Sequence, residues 1–221
     1  MRPVSYQFAA PSVNAICATQ TTTATDQKLN INGTLRDYSL LPYGISQASL
    51  GDGIQRTITI TSTGNISTST FAVSGITVQG VSLTTSFAGP TGSNTVSSGT
   101  EFARITQISV GTLATSAFTV GTGAAGTGNW YQCDYFQTRF NVHAAVVISA
   151  TTAAVTLQNT SADPNSSSFS TASIFTLLAA STTSTQTNIA SPVAFIRPIF
   201  AATSATSTTA AANVILIQEG N

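Results

Sequence analysis

Residues 56–90 read RTITITSTGNISTSTFAVSGITVQGVSLTTSFAGP, and after a polar interval the chain resumes as TEFARITQISVGTLATSAFTVG over 100–121. Thr57, Thr59 and Thr61 fall on one side of an extended chain, and Ile58 and Ile60 fall on the other. Period-two alternation of this kind is the pattern of a strand with one buried face. Phe71 and Val73 line the next inward face, with Gly64-Asn65 in the turn between. Gly75 and Gly80 bound a second turn before Val81, Leu83 and Thr85. Gly, Asn, Ser and Pro between such runs supply the backbone conformations that hairpins need. Ala88 to Gly99 reads as a polar loop. Phe102, Ile105, Ile108 and Val110 read as one longer strand, and the lapse in alternation between Phe102 and Ile105 predicts a bulge. Phe118 and Val120 close the module. No helix of ordinary length fits the stretch, so the expected fold class is all-β.

On the C-terminal side, residues 142–221 read as a second module of the same kind. Val142–Ile148 with Val155 and Leu157 repeat the strand–turn–strand opening. Asp163-Pro164-Asn165 is a turn-forming sequence within a polar loop. SPVAFIRPIF (191–200) aligns with TEFARITQIS (100–109), and 203–220 aligns with the TLATSAFTVGTG ending. Residues 181–188 read as a Thr/Ser loop. FSTASIFTLLAA (169–180) carries Ile174, Leu177 and Leu178 at helical spacing, but its flanking Ser and Thr favour strand or loop. The expected architecture is therefore two tandem β-sandwich, jelly-roll-like modules, 51–122 and 142–221. Between them, 123–141 is a Gly-rich linker leading into the only Trp and a group of Tyr and Phe.

Residues 1–50 read as an extended N-terminal arm. Val4, Tyr6 and Phe8 alternate with Ser5 and Gln7 as in a short strand; KLNINGTL (28–35) suggests a hairpin about Asn32-Gly33; Leu40 to Gly44 is irregular. So few periodic residues cannot hold a core of their own, so the arm is expected to lie on another domain or add a strand to a neighbouring subunit.

Composition narrows the function classes. Charged residues make up 6% of 221, and the net charge is zero. The cations are Lys28, Arg2, Arg36, Arg56, Arg104, Arg139 and Arg197, none adjacent in sequence. A nucleic-acid binder needs clustered cations to displace counterions from phosphates, so no nucleic-acid partner is expected. No run approaches the ~20 apolar residues of a membrane helix, and Pro3, Gln7, Pro11, Ser12 and Asn14 interrupt any signal-type apolar run. The expectation is a protein acting in a cytoplasm or in a particle assembled there, without a membrane partner. A low-charge surface tends to associate, which points to life inside an assembly; a secreted β protein with a hydroxyl-rich surface is the plainer alternative. Cys17 and Cys133 lie far apart and are expected to be buried and reduced.

The residues that could carry chemistry are few. His143, the sole histidine, sits in an alternating run on the same face as Ala145 and Val147, which suits a half-buried strand residue better than a Cys-His pair with Cys133. One His and two distant Cys do not make a zinc site, and Gly51-Asp52-Gly53 offers one carboxylate where a calcium loop needs several. Asp26, Asp37, Asp134, Asp163, Glu101 and Glu219 suggest no glycosidase pair. The expectation is no catalytic site, no metal and no cofactor. The side chains set aside as candidate interface residues are Tyr6, Phe8, Trp130, Tyr131, Tyr135 and Phe136, because collected rings seal a junction or a subunit interface. A carbohydrate platform about Trp130 is the functional alternative.

RTITITSTGNIS (56–67), TFAVSG (70–75), Gly80 before VSLTTSFAGP (81–90) and EFARITQISV (101–110) together resemble small β-rich virion proteins of tailed bacteriophages. So do MRPVSYQFAA (1–10), VVISATTAAVTLQNTSADPN (146–165), SPVAFIRPI (191–199) and NVILIQEG (213–220). The resemblance implies a non-enzymatic structural protein of the virion. Its leading form is a capsid decoration or cement protein that clamps the major capsid protein and copies of itself, often as a trimer. A neck, collar or tail component is the alternative, and a receptor- or glycan-binding β module is the reading from another class. These proteins work through surfaces, so the resemblance transfers no functional residue.

Overall fold

A computed structural model describes residues 3–39, 46–51, 53–137, 139–150, 152–202 and 209–219. Leu40 to Gly44 and Asp52 lie outside the described residues, as do residues 203–208 at the start of the 203–220 segment aligned above. In chain order the strands are β1 (Val4–Phe8), β2 (Cys17–Gln20), β3 (Gln27–Lys28), β4 (Arg36–Asp37), β5 (Gln47–Ser49), β6 (Ile54–Ser62), β7 (Thr70–Ile76), β8 (Ser82–Ala88) and β9 (Asn94–Phe102). They continue as β10 (Arg104–Val110), β11 (Phe118–Gly128), β12 (Tyr131–Gln132), β13 (Val142–Ile148), β14 (Ala153–Thr160), β15 (Phe175–Ser181), β16 (Thr185–Ile189), β17 (Phe195–Ala202) and β18 (Ala212–Gln218). The only helical element among the described residues is a 3-10 turn at Thr171–Ser173. The fold is all-β and antiparallel. It divides into two compact units: a continuous unit, Pro11–Gly123, and a split unit made of Met1–Ala10 and Ala124–Asn221.

In the continuous unit one sheet runs β4-β5-β10-β7-β8, with β3 also on β10. The other places β6 between β9 and the first half of β11, with β2 on the far side of β11. The alternation read from RTITITS is realised: Ile58 and Ile60 are fully buried, while Thr59 and Thr61 are half-exposed. The two isoleucines join Phe71, Val73, Ile105, Ile108, Val110, Phe118 and Val120 in one apolar cluster. Phe71 on one sheet meets Phe118 on the other edge-to-face, ring centroids 5.1 Å apart, which makes this unit a sandwich with a shared core.

In the split unit one sheet runs β1-β18-β13-β16 and the other places β17 between β14 and the second half of β11, with β15 on β14 and β12 on β17. Phe8 on the first sheet stacks on Phe200 of the second at 4.8 Å, with the rings 6° from parallel. Tyr6 lies against Gly128, where a Cβ would meet its ring and Pro198, and its hydroxyl donates to the Asn129 carbonyl at 2.9 Å.

Several elements differ from the sequence expectations. The first 50 residues, read as an arm lying on another domain, are divided between the two units. Residues up to Ala10 belong to the split unit, and Ile16, Cys17, Leu29, Ile31, Ala48 and Leu50 are part of the core of the continuous one. KLNINGTL does not pair with itself; Gly33 and Leu35 donate instead to the Ile16 and Ala15 carbonyls. The polar interval 94–99 is part of β9, whose Ser and Thr pair with β6 from Thr57↔Glu101 to Ser62↔Asn94. β-branched Thr fits a pleated face, so a hydroxyl-rich interval can still pair as a strand. The single strand expected over 102–110 is two: β9 ends at Phe102, and Ala103 turns the corner by donating to Ile76 and accepting from Leu50. The bulge lies one step later, between Ile105 and Gln107. The Gly-rich stretch read as a linker is the second half of β11, and 185–189 within the expected Thr/Ser loop is β16.

Shortening Phe8 to Ala removes a fully buried ring, for which a loss of about 3–5 kcal/mol is expected. Because the sole Trp lies in the split unit, urea unfolding followed by Trp130 fluorescence reads that loss directly; a change below about 1 kcal/mol would mean that β1 is not held by this ring.

Candidate functional site

The aromatic segment 129–137 is built outward from the split unit's sheet. β12 fixes its base: Tyr131 pairs with Ile196 and Gln132 with Phe195. Beyond it the Cys133 amide donates to the Ala194 carbonyl at 2.8 Å. Gln218, buried at the end of β18, then grips the backbone of Asp134 from both sides. Its Oε1 accepts from the Asp134 amide at 2.8 Å, and its Nε2 donates to the Asp134 carbonyl at 2.7 Å. A side-chain amide that satisfies a neighbouring peptide in both directions acts as a short piece of strand partner. Asp134 itself closes an Asx turn, its carboxylate accepting from the Phe136 amide at 3.2 Å. At the tip, Tyr135 and Phe136 pack against each other with centroids 4.3 Å apart. They are 45% and 83% exposed.

The six candidate interface residues therefore separate. Tyr6 and Phe8, 3% and 2% exposed, are core residues of the split unit, as is buried Tyr131; in this folded chain none of these three presents a free surface. Burial separates them: alternation marks which face is apolar, not whether the chain itself or another chain covers it. Trp130 is half-buried. The Arg197 guanidinium lies 4.4 Å over its ring and Phe169 meets it at 6.2 Å, 77° from parallel. Arg197 also donates to Gln158 Oε1 at 3.0 Å. One face of the indole is thus engaged by a cation within its own unit, which leaves less of it for a sugar ring. Tyr135 and Phe136 remain as the outward-facing pair.

The other chemical groups are structural in setting. Cys17 and Cys133 are both free and buried, and burial pushes each thiol up to about 12. His143 is half-exposed on β13, its Nδ1 2.9 Å from Asn188 Oδ1 across the strand pair, on the face it was expected to share with Ala145 and Val147. Among the described residues no three His, Cys, Asp or Glu side chains converge as a metal site would require, and no helix is long and apolar enough to cross a membrane. Asp163 forms the expected turn, accepting from the Asn165 amide at 2.9 Å. Arg56 has a role that no sequence motif marks. It is buried in the continuous unit, donates from an Nη to the Gly123 carbonyl at 2.8 Å, and is lowered to about 10 by desolvation, so it stays charged at neutral pH. A lone Arg at the start of a strand looks like any surface cation; nothing local marks it.

Both thiols should resist a soluble disulfide reagent at pH 8 in the folded protein and react once it is unfolded, since the thiolate is the nucleophile. The folded values lie above the unfolded one, so the stabilisation they report is full below about pH 9 and is lost as pH rises towards 12. Rapid labelling of native protein would contradict this setting. A scan against protein-family models and a search of curated proteins returned no match to this chain.

Proposed function

We propose that this chain is a non-enzymatic structural protein of a bacteriophage virion, of the capsid decoration or cement type, binding the major capsid protein and copies of itself. The observation that carries the reading is the Tyr135–Phe136 tip. Two rings held out of their own core on a loop fixed by Gln218 and Asp134 form a pre-organised anchor for another protein surface. Aromatic anchors of this kind are enriched at the centres of protein interfaces and lose little conformational entropy on docking. Three further features support it. The 6% charge content lets many copies crowd without mutual repulsion. The exposed faces are dressed in hydroxyls, as in the Thr61–Thr95 and Ser74–Thr84 pairs at 2.8 Å. The stretches quoted from both halves of the chain resemble phage virion proteins.

The test is copy number, by quantitative mass spectrometry of purified virions against the major capsid protein. Copies on the order of hundreds follow shell symmetry and support decoration. On the order of a dozen or fewer would place the protein at the neck or tail, and complete absence would overturn the virion reading. Within the decoration reading, Phe136→Ser should weaken binding to undecorated shells by about tenfold or more, as for a central hot spot, while the urea midpoint stays unchanged. Unaltered binding would remove the tip from the interface.

A further inference from the structure

We propose that β1 is an exchangeable strand: residues Val4–Phe8 of one copy complete the split unit of a second copy, linking the two. The proposal deepens the self-association part of the reading above and rests on how β1 is tethered. The pairing, ring and hydroxyl contacts of β1 lie in the split unit. Val4 to Phe8 pair in register with Leu216 to Ala212 of β18, Phe8 stacks on Phe200, and the Tyr6 hydroxyl donates to Asn129. These contacts are the same whichever copy supplies the strand.

Immediately after β1 the chain is fixed elsewhere. The Ser12 carbonyl accepts from the Thr122 amide at 2.9 Å, the Ser12 amide donates to Thr122 Oγ1 at 3.2 Å, and the Ile16 amide donates to Val120 at 3.0 Å. The Ser12–Val13 backbone passes so close to Gly121 that a Cβ there would overlap it. All of these residues belong to the continuous unit. Only Ala9, Ala10 and Pro11 lie between, and both alanines are exposed. Pro11 has a fixed φ and no N–H, and it biases Ala10 towards extended backbone. A short hinge with these properties opposes folding back and favours running on. Extended, three residues reach about 10 Å. Short, stiff hinges of this kind invite strand exchange between identical copies, because the closed and exchanged forms differ only in the hinge and in concentration. Copies crowded on a shell supply that concentration.

A cross-strand disulfide tests it. Ser5 and Ile215 are direct partners on adjacent antiparallel strands, within the spacing a disulfide spans. The Ser5→Cys/Ile215→Cys variant is concentrated, oxidised with copper phenanthroline and run on a non-reducing denaturing gel. Exchange predicts covalent dimers and longer species that dithiothreitol returns to monomer; the single-cysteine variants should not form the longer species. An oxidised, monomer-only product overturns the proposal. Should the pair fail to oxidise, light scattering decides. The native chain should be dimeric or larger at high concentration, and inserting Gly-Gly-Ser-Gly between Ala10 and Pro11 should shift it to monomer. Monomer for both, or no shift on lengthening, overturns the proposal. Either result leaves the virion copy number untouched, so failure of strand exchange is distinguishable from failure of the structural reading.

Discussion

Close backbone approach along β11 is the constraint on which the rest of the structure depends. Its first half pairs with β2, through Phe118↔Gln20 and Val120↔Cys17, and its second half pairs with β17, through Gly126↔Phe200 and Thr127↔Ile199. Each unit therefore takes part of one sheet from the same strand. Glycine makes this possible. At Gly121 the Ser12–Val13 backbone occupies the space of a side chain, and at Gly128 Pro198 and the Tyr6 ring do. Glycine weakens a strand through backbone entropy; the offsetting gain is a set of contacts that no larger residue would permit.

Stability comes from two sandwiches whose inner faces are apolar and whose outer faces are hydroxyl-bearing. Phe71–Phe118 holds the sheets of one unit together, and Phe8–Phe200 holds those of the other. On the outside, cross-strand hydroxyl pairs and amides such as Ser5–Asn213 satisfy one another at 2.8 Å. Each such pair contributes a fraction of a kcal/mol. The molecule thus resists unfolding through its cores and presents surfaces with little electrostatic preference. Such surfaces are selective only where shape or an aromatic anchor makes them so, which gives the Tyr135–Phe136 tip its weight.

Much of this was legible in the sequence. The alternation of RTITITS, TFAVSG and VHAAVVI located β6, β7 and β13, because burial on one face of a pleated strand leaves a period-two imprint. The Asp163 turn and the face of His143 followed from equally local rules. The candidate aromatics were located as a group, but their division into core and surface was not. Nothing in the one-dimensional pattern separates Tyr131, buried over β17's neighbourhood by a two-residue strand, from Tyr135 four positions on. The grip of Gln218 on Asp134 links residues 84 apart and leaves no local trace.

What the sequence by itself determined is the all-β class, the identity of most inward-facing side chains and the near absence of charge. Tertiary structure alone decided that residues 4–8 close a sheet with residues 212–218, that a hydroxyl-rich interval and a glycine-rich one are strands, and that the chain divides at Pro11 and Gly123. The physical reason is range. Alternation records what happens on one strand's two faces, whereas strand order and unit boundaries depend on which distant backbone supplies the missing hydrogen bonds, and hydrogen-bonding groups are the same at every residue except proline.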